Sequence, residues 1–196
     1  MFLVAGLGNP GEEYVRTPHN LGFLTIDRLA ERHGIRITRK DSKALIGLGE
    51  IEGHEVMLAK PQTYMNLSGT SLGPLMVKHS VPAGRLVVVY DELDLPWLTL
   101  RIKPKGSAAG HKGMISVIGN LGTSEVARVR MGIHPGRAIE SGAEFVLAPV
   151  RRSQEKELDE FVSYAADAVR SIIAEGVVKA MTKYNRRAPG LSREEE

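Results

Sequence analysis

The 196-residue chain has no cysteine and a single tryptophan, and aromatic residues make up only 5% of it. Without thiols there can be no disulfide, no thiolate metal site and no cysteine nucleophile. No apolar run approaches the roughly 18 residues that a membrane span requires, so no membrane association is expected. The basic flank and small-residue cleavage site of a secretory signal are also missing, and the cytoplasm is the expected location. Neither sign of charge dominates: 26 Lys and Arg against 23 Asp and Glu leave +3, which permits an anionic partner without requiring one. The distribution says more, because "RIKPKGSAAGHKG" and "KYNRR" are basic whereas the closing "SREEE" is acidic. No internal repeat or long linker interrupts the chain, and its length suits one domain with a self-sufficient core.

What the sequence does contain is an alternation of strand and helix patterns. Residues 2–5 are a short apolar strand pattern ending in glycine. Thr17-Pro18 predicts an N-cap followed by proline at the first helical position. Leu21, Leu24, Ile26 and Leu29 continue at helical spacing until Gly34 stops the helix. "KALIGLGEIEGHEVMLAKP" predicts two strands joined by a tight turn at Glu52-Gly53. "NLSGTSLGPLMVKHS" reads as a helix that Pro74 kinks or shortens. In "RLVVVYDELDLP" the apolar residues run together without alternation, which predicts a buried strand ending in carboxylates. "LTLRIKP" and "RVRMGI" predict further strands, with a short helix at "HKGMISVIGNLG" between them, and residues 153–174 form a long amphipathic helix pattern. Strands interleaved with helices imply an α/β class, here a single-domain three-layer sandwich with a twisted mixed β-sheet flanked by helices.

Several motifs compete for the function. Gly6-Leu7-Gly8-Asn9-Pro10-Gly11 matches the dinucleotide fingerprint, but the predicted helix opens near Pro18 rather than at the glycines, so no helix N-terminus can hold a pyrophosphate there. "LVVVYDE" resembles a magnesium-binding strand end, yet Glu12 and Glu13 stand where a phosphate loop needs lysine and a hydroxyl. Gly69-Thr70-Ser71-Leu72-Gly73 matches a nucleophile elbow, with Ser71, Asp91 and His111 in hydrolase order, but "TYMNLS" is a poor strand to lead into it. A fourth set is spread over loops: Asn9, Tyr14, His19 within "TPHN", Met65, Asn66, Asp91 and "GHKG". Asn9, Asn66 and Asp91 each follow a predicted strand, and open α/β sheets bind ligands beyond the carboxyl ends of strands. Taken singly, asparagines beside proline and glycine are ordinary turn-formers. Together the set offers an imidazole, a carboxylate and amides, which is what activating water against a carbonyl requires. The six histidines include no pair at metal-ligand spacing, so neither metal nor cofactor is implied.

The stretches "GLGNPGEEY", "TPHNLGF", "KPQTYMNLSG", "DELDLP", "GSAAGHKGM", "RVRMGI" and "AMTKYN" together resemble a bacterial-type peptidyl-tRNA hydrolase, in family order up to Asn185. The resemblance implies hydrolysis of the ester joining a peptide to the 3′ end of tRNA, with peptidyl-tRNA as the partner. It implies His19 as catalytic base and Asp91 as its orienting partner. Asn9, Met65 and Asn66 would line the substrate site, with Tyr14 close by. Lys112 stands where the family most often has asparagine and is assigned to substrate. Ala109, at a usual glycine, and Trp97-Leu98 also depart from the family pattern, and the expectation for Trp97 is a place in the core. Lys103, Lys105 and Arg130 lead a basic set, with Arg101 and Arg128, assigned to acceptor-stem phosphates. The oxyanion donor is left between the Asn9 side chain and a backbone N–H at positions 110–113. The expected organisation is a catalytic domain over residues 1–187 and a disordered acidic tail over 188–196, in a monomer. The alternatives are a serine esterase using Ser71 and a non-catalytic RNA-binding module.

Overall fold

The computed structural model describes residues 1–189. In chain order the elements are β1 (Phe2–Gly6), α1 (Leu21–His33), β2 (Arg39–Asp41), β3 (Ala44–Ile51), β4 (His54–Pro61), α2 (Ser68–Lys78), β5 (Leu86–Pro96), β6 (Leu100–Lys103), α3 (Lys112–Leu121), β7 (Ala127–His134), α4 (Gly142–Leu147), α5 (Glu155–Glu175) and α6 (Val177–Tyr184). The strands form one seven-stranded sheet in the order β2-β3-β4-β1-β5-β7-β6. Its centre, β4-β1-β5-β7, is parallel, and antiparallel pairings add β3 and β2 on one side and β6 on the other. Alternate residues of each central strand face opposite layers, as strand geometry demands. Val4, Val87, Val89 and Val129 pack with Ile26, Phe161 and Val169 on one side, whereas Leu3, Ala5, Val88 and Tyr90 pack with Leu72, Met114 and Val117 on the other. The result is the three-layer α/β sandwich expected from the sequence, with α1 and α5 on one face and α2 and α3 on the other.

The tight turn falls at Glu52-Gly53, where φ is 51° and 76°. Two consecutive positive φ values suit the two-residue connection whose twist matches its strands. The helix α1 ends at Gly34, in the left-handed conformation at φ 62°. Its start differs from expectation. Pro18–Asn20 form a 3-10 turn and α1 begins only at Leu21, while the Thr17 hydroxyl donates to the Tyr14 carbonyl instead of capping the helix. The helix α2 runs through Pro74 to Lys78, so the proline does not shorten it. Three short elements gave no usable sequence signal: β2, α4 and α6.

The glycines of "GLGNPG" serve packing rather than a phosphate. A Cβ on Gly6 would lie 2.2 Å from the Gly22 carbonyl oxygen, and one on Gly22 would lie 2.4 Å from the Val89 carbonyl oxygen. The first turn of α1 therefore sits directly on β1 and β5, close enough to bring the residues just before it to the end of the sheet.

Past α6 the chain runs along the outer edge of β6. Asn185 Oδ1 accepts from the Ile102 N–H at 2.6 Å and its Nδ2 donates to the Ile102 carbonyl at 3.1 Å. The Leu100 N–H donates to Arg186, Thr99 bridges to Arg187, and the Ala188 N–H donates to Leu98. Ala188 is buried, so the body extends at least one residue beyond the expected boundary at 187. Most of the expected tail, residues 190–196, lies outside the described residues.

Candidate active site

Three neighbouring parallel strands deliver the polar residues to one end of the sheet. Asn9 follows β1, Met65 and Asn66 sit in a 3-10 turn after β4, and Asp91 lies within β5. The 3-10 turn before α1 contributes His19, and His111 is the N-cap of α3. These residues, with Tyr14 and Lys112, line a cleft of about 560 Å³. Every substrate residue expected from the sequence is in that lining. Ser71 is not: it is fully buried within α2, and a 3-10 turn stands where an elbow needs a strand.

Asp91 is the hub. His19 Nδ1 lies 2.9 and 2.8 Å from its two oxygens, and His111 Nε2 lies 3.0 Å from Oδ1. Burial alone would raise the Asp91 pKa, but the hydrogen bonds from His111 and His19 outweigh it and hold the carboxyl well below its usual range. Asp91 is thus an anion that accepts from both rings. For His19 this puts the proton on Nδ1 and leaves the Nε2 lone pair free. For His111 the Met114 N–H, at 3.2 Å, donates to Nδ1 and fixes the proton on Nε2. The Tyr90 ring packs on His111 at 4.7 Å between centroids, and its hydroxyl is pushed up to about 12, chiefly by burial.

Ligand-type atoms of His19, Asp91 and His111 all lie within 4.8 Å of one another. Sequence spacing does not reveal this convergence, because the residues come from separate loops. A metal at that point would need a bare lone pair on His111 Nε2, the nitrogen that the Met114 N–H keeps protonated. The arrangement is a hydrogen-bond relay and does not fit a metal centre.

A second set of bonds fixes the amide of Asn9. Its Oδ1 accepts from the Met65 N–H at 2.7 Å, which leaves Nδ2 as the donor for a ligand. The Asn9 backbone is clamped by Asn20: the Asn9 N–H donates to Asn20 Oδ1 at 2.8 Å, and Asn20 Nδ2 donates to the Asn9 carbonyl at 2.9 Å. Asn66 and Lys112 are exposed at the rim, and Met65 is buried in the wall. Ala109 has a φ of 47° and the adjoining Gly110 one of 77°, so the segment leading to His111 passes through two left-handed residues.

The basic set divides. Lys103 and Lys105 are exposed, the latter 3.8 Å from Glu125, and none of Lys103, Lys105 and Arg130 lines the cleft. Arg130 is turned inward, 3.8 Å from Glu92 Oε2, and its buried Nε has no partner among the described residues. Burial of Glu92 raises its carboxyl pKa despite the nearby Asp94 N–H and Arg130. Arg128, expected at phosphates, is instead fully buried, and its guanidinium donates to the carbonyls of Val126, Ser107 and Ser124. It ties the glycine-rich segment to β7 and is not available to a ligand. Trp97 is partly buried, and its Nε1 donates to Glu157 at 2.8 Å.

Two roles in the site are not read from the sequence: that of His111 as the second imidazole on Asp91, and that of Asn20 as the clamp on Asn9. Both lie inside the quoted stretches "GHKG" and "TPHN", but their roles depend on partners that only the fold brings near.

Comparison with known proteins identifies the family. The family model described as peptidyl-tRNA hydrolase matches residues 3–191. A peptidyl-tRNA hydrolase of Solibacter usitatus is 75% identical over 195 residues, covering 100% of both chains. One of Koribacter versatilis is 47% identical over 188 residues, covering 95% of this chain and 94% of that one. Among solved structures, peptidyl-tRNA hydrolase from Acinetobacter baumannii superimposes with a TM-score of 0.89 at 32% identity, covering 97% of each chain. The chain belongs to the peptidyl-tRNA hydrolase family and is an enzyme that hydrolyses peptidyl-tRNA.

Proposed function

We propose that His19 is the general base of this hydrolysis. The observation that carries the reading is the His19 Nδ1 to Asp91 contact of 2.8 Å, which leaves Nε2 as the basic nitrogen at the cleft. Nε2 takes a proton from water as the oxygen attacks the ester carbonyl. Asp91 stabilises the imidazolium that forms, and His111 holds the carboxylate in place. The proton then passes to the departing 3′ oxygen, giving a peptide carboxylate and a free tRNA hydroxyl. Asn9 Nδ2 donates to a substrate carbonyl oxygen, and Asn66 binds the peptide N–H and carbonyl. Met65 and Tyr14 form the walls. Lys112 supplies a positive charge at the rim, where the cleft otherwise carries Asp91, Glu92 and Asp94.

In the same reading Lys103, Lys105 and Arg130 meet phosphates of the tRNA. No cofactor enters the scheme, and the enzyme acts as a monomer in the cytoplasm. The test is hydrolysis of an N-blocked aminoacyl-tRNA by wild type and His19→Ala side by side. Loss of the base lowers turnover by about 10²–10⁴-fold with the fold intact by circular dichroism. A variant that cleaves as fast as its parent overturns the assignment.

A further inference from the structure

Behind the catalytic cleft lies a second cavity, of about 480 Å³, within the range of about 300–1,000 Å³ that small-molecule sites occupy. Trp97, Ile133, Phe145 and Pro149 supply apolar lining. Arg137 and Arg151 also line it and are exposed, and among the described residues neither guanidinium is held by a carboxylate. One carboxylate of the lining, Glu157, already accepts from Trp97 Nε1 at 2.8 Å. Aromatic and apolar lining together with two arginines that no carboxylate holds among the described residues suits a flat anion. The rings stack, and a guanidinium takes an oxyanion through paired N–H groups.

The two cavities share their partition. Gly142, Val146 and Leu147 of α4 line the catalytic cleft, whereas Phe145 and the adjoining Ala148 line the second cavity. The turn on which α4 packs is divided in the same way, His19 facing the cleft and Pro18 the cavity. A ligand seated behind α4 touches the wall that substrate touches from the other side.

We propose that this cavity binds a small planar aromatic anion, and that its occupancy is linked to substrate binding through α4 and the Pro18-His19 turn. Trp97 is the only tryptophan, so the indole N–H gives one unambiguous crosspeak in a ¹H–¹⁵N spectrum. Titrating naphthalene-2-sulfonate into the full-length protein shifts that crosspeak saturably. The neutral naphthalene-2-sulfonamide binds about tenfold or more weakly, as does the anion to an Arg137→Glu/Arg151→Glu variant, the loss expected of a charge-assisted pair. Both arginines are exposed, so the double variant folds, which its spectrum verifies. Saturating probe changes the KM for N-blocked aminoacyl-tRNA by about fivefold or more in wild type and leaves it unchanged in the double variant. A crosspeak that stays still, or equal affinity of the two probes, overturns the site. A KM that ignores the probe, or that shifts equally in both proteins, overturns the linkage.

Discussion

Replacing Asn20 with alanine removes both bonds that clamp the Asn9 backbone, the acceptor at 2.8 Å and the donor at 2.9 Å. Asn20 is 2% exposed and Asn9 7%, so water does not readily take over. Each orphaned buried backbone group costs about 1–3 kcal/mol, which puts the destabilisation at roughly 2–6 kcal/mol, read as a lower urea midpoint. The amide of Asn9 loses its aim as well, and misplacement by about 1 Å lowers kcat/KM by about 10²-fold. Asn20→Asp separates the two bonds. It keeps the acceptor for the Asn9 N–H but sets a carboxylate oxygen against the Asn9 carbonyl, a contact that favours the protonated acid. A pKa raised by folding means that the deficit relative to wild type is small below the ordinary carboxyl value of about 3.9. It then grows by about 1.4 kcal/mol for each pH unit until the folded-state value is passed. Unfolding curves for the three proteins at pH 4 and pH 7 measure this. If Asn20→Ala unfolds at the wild-type midpoint, or the Asn20→Asp deficit does not grow with pH, the clamp is not what holds Asn9.

Asp91→Asn replaces one accepting oxygen with a donor that faces a ring N–H, so hydrolysis of the blocked substrate falls by about 10²–10⁴-fold yet stays above that of buffer. Ser71→Ala retains full activity and loses no stability, because the buried Ser71 hydroxyl has no hydrogen-bond partner among the described residues; a loss of turnover would revive the serine-esterase reading. Hydrogen bonds from Lys78 and then His79 hold Asp41 well below the usual carboxylate range. A depressed carboxyl stabilises the fold above its unfolded value of about 3.9 and ceases to do so as acid protonates it. Asp41→Asn is therefore less stable than wild type at pH 7, and thermal melts of the two converge as the pH is lowered below about 4.

The parts of the fold that rest on periodicity were legible in the sequence. The uninterrupted apolar run before Asp91 marked the buried β5, and Gly34 and Glu52-Gly53 marked a helix end and a hairpin through backbone conformations that favour glycine. What escaped depended on tertiary context. The residues of β2, Arg39, Lys40 and Asp41, are a charged edge pattern without alternation, and α4 is too short for helical spacing to show. In the site, residue type places His19 and Asp91 among the candidates, because imidazole and carboxylate carry chemistry wherever they stand, and the family resemblance is what assigns their roles. Arg128 misled for the same reason: charge suggested a phosphate, whereas the fold spends all three of its donor nitrogens on carbonyl oxygens. Asn20 and His111 act on neighbours remote in sequence, and no local pattern encodes that.

The segment after α6 that zips along β6 also bears on how the molecule comes into being. The outermost strand has one side joined to β7 and the other to residues 185–188, so its border stays unprotected until those residues have been made. Unpaired sheet borders invite pairing with other chains. A nascent copy is thus adhesive along β6 until that segment emerges and acts as the seal.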